Sequence, residues 1–83
     1  MITLKEAREN TKKYLDDHID AIMNDISASI TKASERGGDQ IIIWEDNKEM
    51  RKLIVKKCKK AGFKAYRVFN GYEETIKVLI SWR

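Results

Sequence analysis

Few side chains in this 83-residue sequence could carry acid–base, nucleophilic or metal chemistry. His18 is the only histidine. To act as a base it would need a nucleophile or an orienting carboxylate facing it. On a helix, however, Asp17 and Asp20 point to other sides. Asp16, Asp17 and Asp20 share one helical face and so cannot supply the six to eight oxygens that a folded calcium loop provides. Cys58 falls on the apolar side of a second helix, where a thiol behaves as a small hydrophobe. A reactive thiol would need exposure and a lowered pKa. Gly37-Gly38 precedes a strand, the reverse of the strand-loop-helix order that cradles phosphate. The sequence therefore implies no cofactor, no metal site and no enzyme.

A different chemistry is open to the lysines. The net charge is +4, but residues 1–38 carry −1 and residues 39–83 carry +5. Seven cations lie in the stretch 47–61. Helical phasing sets Lys48, Lys52, Lys56 and Lys59 along one side, with Lys60 on its shoulder. Such a stripe could neutralise several phosphates in a salt-sensitive, sequence-independent manner. It could equally serve only to keep a helix soluble. The stripe has no interleaved aromatic residues of its own. Neither helix-turn-helix spacing nor the paired aromatic strand motif of RNA-recognition sheets is present.

The elements that position these residues can be placed by period and by caps. Thr3-Leu4-Lys5-Glu6 fits the S/T-x-x-E capping box, and Gly37 supplies a left-handed stop, which predicts one helix over 4–35. Leu4, Thr11, Leu15, Ile19, Ile22, Ile26, Ile30 and Ala33 form its stripe, dense only from Leu15 onward. At about 1.5 Å per residue the helix reaches roughly 45 Å, about twice the length of the strands that follow. The first three turns are therefore expected to project, fray or meet another subunit.

Gln40–Trp44 reads as a strand buried on both sides. A helix over 47–61 follows, capped by Asp46 or Asn47 and stopped at Gly62. Residues 63–69 and 74–82 flank Asn70-Gly71, the dipeptide of a type I′ hairpin turn. A two-residue loop would bring Arg67 against Glu74 and turn Ile76, Val78, Ile80 and Trp82 toward the helices. A three-residue loop would instead turn Tyr66 and Val68 inward.

The expected fold is α+β, a two-layer α/β sandwich in the order α-β-α-β-β, made as a single domain. Its three-stranded mixed sheet would have both helices on one face and the first two strands parallel. The open face would show Ile41, Ile43, Lys64, Tyr66, Lys77 and Leu79. No apolar run approaches the ~20 residues of a membrane span. A single cysteine and no leader-like segment suit a reducing, cytoplasmic setting.

The run Lys59-Lys60-Ala61-Gly62-Phe63-Lys64-Ala65, with a last strand ending Ile80-Ser81-Trp82, resembles a widespread type of small tailed-phage protein. Such proteins have an N-terminal helix, a Gly-Phe/Tyr-x-Val turn into a strand, and a final strand closing on apolar-x-Trp. Here Cys58 stands where a Leu is common, and Ala65 replaces the Val. The resemblance implies a role in binding host or virion components, and it carries over no functional residue.

The function expected is that of a non-enzymatic interaction protein, docking a protein partner that could be host-derived, forming a homodimer, or both. Leu4, Thr11, Ile41, Ile43, Tyr66 and Leu79 are the expected contact face. Sequence-independent nucleic-acid binding through Lys48, Lys52, Lys56, Lys59 and Lys60 is the alternative.

Overall fold

The computed structural model describes residues 1–83. Its elements are α1 (Leu4–Glu35), β1 (Gln40–Trp44), α2 (Lys48–Lys60), β2 (Lys64–Asn70) and β3 (Glu73–Ser81). The order α-β-α-β-β and the α+β class agree with the sequence reading.

Both helices begin and end as local chemistry dictates. The Thr3 hydroxyl accepts from the Glu6 amide at 3.1 Å, while Asn47, rather than Asp46, caps α2 by accepting from the Met50 amide at 2.9 Å. Glu45 in turn accepts from the Asn47 amide. At the C-termini, Gly37 donates to the Ser34 carbonyl and Gly38 to that of Ala33; Gly62 donates to Lys59 and Phe63 to Cys58. These are two Schellman motifs, with Gly37 and Gly62 at positive φ. The second one aims the chain from α2 straight into β2.

The sheet is antiparallel throughout, in the order β1-β3-β2. The expected mixed sheet is corrected in one respect. β1 and β2 do run the same way, as the crossover through α2 requires, but β3 lies between them. A central position satisfies backbone groups on both edges of the longest strand. It also suits β3, which is apolar on both faces at Val78, Leu79 and Ile80.

Register follows from these pairings. Ile41 lies opposite Ile80 and Ile43 opposite Val78; Ala65 lies opposite Ile80 on the other side. Ile80, Val78 and Ala65 are buried beneath the helices, so Ile41 and Ile43 also point inward and pack on the core. This overturns their expected place on the open face. The alternation leaves Gln40, Ile42 and Trp44 as the opposite set, and turning that set inward would have buried the Gln40 amide. β1 is thus covered on one side only, contrary to the reading of a strand buried on both.

The hairpin differs in detail. Asn70 pairs with Glu73, leaving Gly71 and Tyr72 as the loop, and only Gly71 has positive φ. That is the pattern of a type II′ turn rather than type I′. Between Arg67 and Phe69 the ladder shifts, with three β3 residues facing one of β2. The extra pair preserves parity, so Val78 and Ile80 face inward as expected. Ile76, inside the irregularity, is exposed instead.

The core is aliphatic and small. Ile19 and Ile26 of α1 meet Met50, Ile54 and Cys58 of α2 above Ala65, Val78 and Ile80. α1 enters it at Leu15, and every residue before that is exposed. Of the seven aromatic residues, Tyr14, Trp44, Tyr66, Phe69 and Tyr72 are exposed. Phe63 and Trp82 pack edge to face at 6.4 Å, and the Trp82 indole donates to the Gly38 carbonyl. Of the residues that carry the phage-protein resemblance, Phe63, Ala65, Ile80 and Trp82 are thus occupied in packing, while Lys59, Lys60 and Lys64 are exposed.

Candidate functional site

The face of the sheet away from the helices has no covering layer. Ile42, Leu79 and Tyr66 make a row across β1, β3 and β2, and Trp44 with Lys77 makes the next. Ile42 is 49% exposed, Tyr66 51% and Trp44 65%. The Lys77 ammonium lies 4.8 Å from the centre of the Trp44 ring, a cation–π contact across the β1–β3 pair. From the Gln40-Ser81-Lys64 row to the Trp44-Lys77 pair this face carries two lysines and no carboxylate.

A second surface lies at the edge of the other layer. α2 stops short of covering the margin of β2, leaving an open groove of about 540 Å³. Lys52, Lys56 and Lys59 form one wall; Arg67, Phe69 and Tyr66 form the other. No acidic side chain lines it. Lys52 meets Glu49 at 3.6 Å on the exposed helix surface, whereas Lys56 and Lys59 have no carboxylate within 4.0 Å.

The strand wall of the groove is held by a charge relay from the interior. The buried Arg51 donates through Nε to Glu74 Oε2 at 2.8 Å. Its Nη1 reaches the carbonyls of Glu45 and Asp46, each at 2.8 Å. Arg67 donates to the other Glu74 oxygen at 3.1 Å, and its guanidinium lies 5.7 Å from the Phe69 ring centre. Arg51's hydrogen bond holds the Glu74 carboxyl below its usual range, aided by the charges of Arg51, Arg67 and Lys48 and opposed by desolvation. Phe69 therefore stands at the rim on a fixed support, half exposed.

The sequence-derived residues sort unevenly over these surfaces. Lys48, Lys52, Lys56, Lys59 and Lys60 are all exposed on α2, but only the middle three line the groove; Lys60 borders a separate depression with Leu53 and Lys57. Tyr66 and Leu79 are on the open face. Leu4 and Thr11 are exposed on the projecting end of α1, where the Thr11 hydroxyl merely donates to the Ala7 carbonyl. Ile42, Trp44 and Phe69 were missed. A Trp closing an apolar run beside Glu45, and a Phe next to the hairpin turn, were the available signals.

The remaining reactive groups stand apart. His18 Nδ1 lies 2.7 Å from the Tyr14 carbonyl, and its ring stacks on Tyr14 at 4.2 Å. Cys58 is buried, and burial pushes its thiol pKa up. No group of three or more His, Cys, Asp or Glu side chains is placed to hold a metal ion, and no helix is long and apolar enough to cross a membrane. No protein-family model, curated protein or solved structure matches the chain.

Proposed function

We propose that this chain is a non-enzymatic binding module that docks a protein partner through the uncovered face of its sheet. The observation that carries the reading is the aromatic-aliphatic cluster of exposed Ile42, Trp44 and Tyr66 with half-buried Leu79 between them. Contiguous apolar surface on one face that includes a Trp and a Tyr has the composition of a binding hot spot. Lys64 and Lys77 at its border fit a partner with an apolar centre and a carboxylate rim. They disfavour a second copy placed face to face, which would oppose like charges. The resemblance to small phage proteins, some of which bind host or virion components, supports a bacterial protein as that partner and a cytoplasmic meeting place.

The test is site-specific crosslinking. A photoreactive residue at Ile42, irradiated in bacterial lysate, should give one dominant adduct that Trp44→Ala reduces at least tenfold, as loss of a hot-spot residue worth about 2 kcal/mol would require. The same probe at Asp20, on the solvated side of α1, should not give it. Equal capture at both positions would remove the sheet face from consideration.

Self-association is a second reading, favoured by a separate observation: Ile2 just before α1, and Leu4 and Tyr14 on its overhanging turns, are exposed. Two such helices side by side would form an isologous contact. Light scattering over a range of concentrations should then exceed the 9.7 kDa of one chain, and Leu4→Glu should return it to that mass. A constant monomer mass would exclude it.

A further inference from the structure

We propose that the groove between α2 and β2 binds single-stranded nucleic acid, with Lys52, Lys56 and Lys59 following the phosphates and Phe69 stacking on a base. This site shares only Tyr66 with the docking face, while the lysines and Phe69 lie outside that face, so either can fail without the other.

Charge is the first argument. Lys52, Lys56 and Lys59 recur at four- and three-residue spacing on one side of α2, spanning about 10 Å at ~1.5 Å per residue. Two of them lack any carboxylate partner, and the groove contains no acid to compete with a phosphate. Lysines placed only for solubility would more commonly be interspersed with carboxylates.

The second argument is the ring on the opposite wall. Phe69 has no polar atom that would prefer water, yet it is half exposed while the core contains no aromatic residue. One side of the ring is occupied by Arg67, whose guanidinium is fixed by Glu74 and, through it, by Arg51. A ring prepared in this way offers its free surface for stacking at little further cost in order. Cations beside an exposed aromatic ring are the combination that holds single strands, because every base has a π-face and every nucleotide a phosphate. In a duplex the base faces are already stacked on one another, so Phe69 selects unpaired nucleotides. An acidic peptide would satisfy the lysines but leave the ring without a stacking partner.

Fluorescence anisotropy with a labelled mixed-sequence oligonucleotide tests this, using the whole chain. Three phosphate contacts predict a log–log salt slope near −2, or about twentyfold weaker binding between about 50 and 200 mM salt. Lys56→Ala should flatten that slope by about 0.7. Phe69→Ala should weaken single-strand binding about tenfold with the slope unchanged, as loss of one stacked base requires. Trp44→Ala, on the other side of the sheet, should leave affinity within twofold. These side chains are exposed, and circular dichroism verifies that each variant is folded. No binding at low salt would overturn the proposal. So would duplex DNA or polyglutamate binding as tightly as the single strand, Phe69→Ala without effect, or loss of binding in Trp44→Ala.

Discussion

Arg51 and Glu74 lie 23 residues apart in sequence and meet at 2.8 Å beneath the hairpin, joining the first turn of α2 to the start of β3. The Arg51 guanidinium also closes on the Glu45 and Asp46 carbonyls. One side chain thus secures the exit of β1, the entry of α2 and the hairpin together. Arg51 is 6% exposed, so its loss would leave those carbonyls without their partner. Arg51→Met, which keeps the apolar stem, is expected to cost about 1–3 kcal/mol in urea unfolding. Lys52→Met, one residue away on the exposed surface, should stay within about 0.5 kcal/mol.

The same pair sets a pH dependence. Arg51's hydrogen bond lowers the Glu74 pKa from an ordinary 4.5. The unfolded chain then binds the proton more readily than the folded one, and the stability this contributes is complete above 4.5 and lost as pH falls through the lower folded value. Urea midpoints measured on acidification should fall less steeply below pH 4.5 in Glu74→Gln than in the parent chain. Parallel curves would show that Glu74 titrates alike in both states.

Gly62 carries the change of direction from α2 into β2. Its φ of 99° lies where an L side chain is strained, although no atom within 4 Å would meet an added Cβ. The cost of Gly62→Ala is therefore one of backbone conformation, about 1–2 kcal/mol. Lys60→Ala, two residues earlier on the exposed side, serves as the control and should be neutral. Urea denaturation of both variants measures the difference.

Local signals were the most legible part of the sequence. The Thr3 cap, the two glycine stops and the period of α1 from Leu15 onward each depend on neighbours within five residues, and the structure has them where the pattern put them, although the Glu6 carboxylate accepts from the Thr3 hydroxyl in place of the amide that a full capping box would use. Strand order was not legible, because placing β3 between β1 and β2 depends on pairings 33 or more residues apart. The facing of Ile41, Ile42 and Ile43 was equally hidden: three identical side chains carry no alternation. The lysine stripe could be phased on its helix, but its aromatic neighbour could not be found that way. Phe69 reaches the stripe only through the packing of β2 alongside α2.

Cys58 offers a direct probe of the core. It is 1% exposed, and desolvation raises its thiol pKa above the ordinary 9.0. Thiolate, the reactive form, is therefore scarce in the folded chain. A disulfide reagent should modify native protein at a rate that follows global opening and rises with urea along the unfolding transition. Fast, urea-independent labelling would contradict the burial of α2 against the sheet.

α1 should prove to be two stability regimes in one helix. From Leu4 to Tyr14 no side chain is buried, so that segment is held by its backbone bonds and by local contacts such as the Thr3 cap and the Tyr14–His18 stack. Isolated helices of this length are marginal in water. From Leu15 the stripe through Ile19 and Ile26 packs on the core, and opening it requires opening the domain. Amide exchange should accordingly be fast across residues 7–14, and slow, tracking global unfolding, across residues 19–30. If a partner or a second copy covers the overhang, protection should spread toward Leu4 when that species is present. A helix exchanging uniformly from end to end in the dilute monomer would mean that the overhang is stabilised by something other than packing.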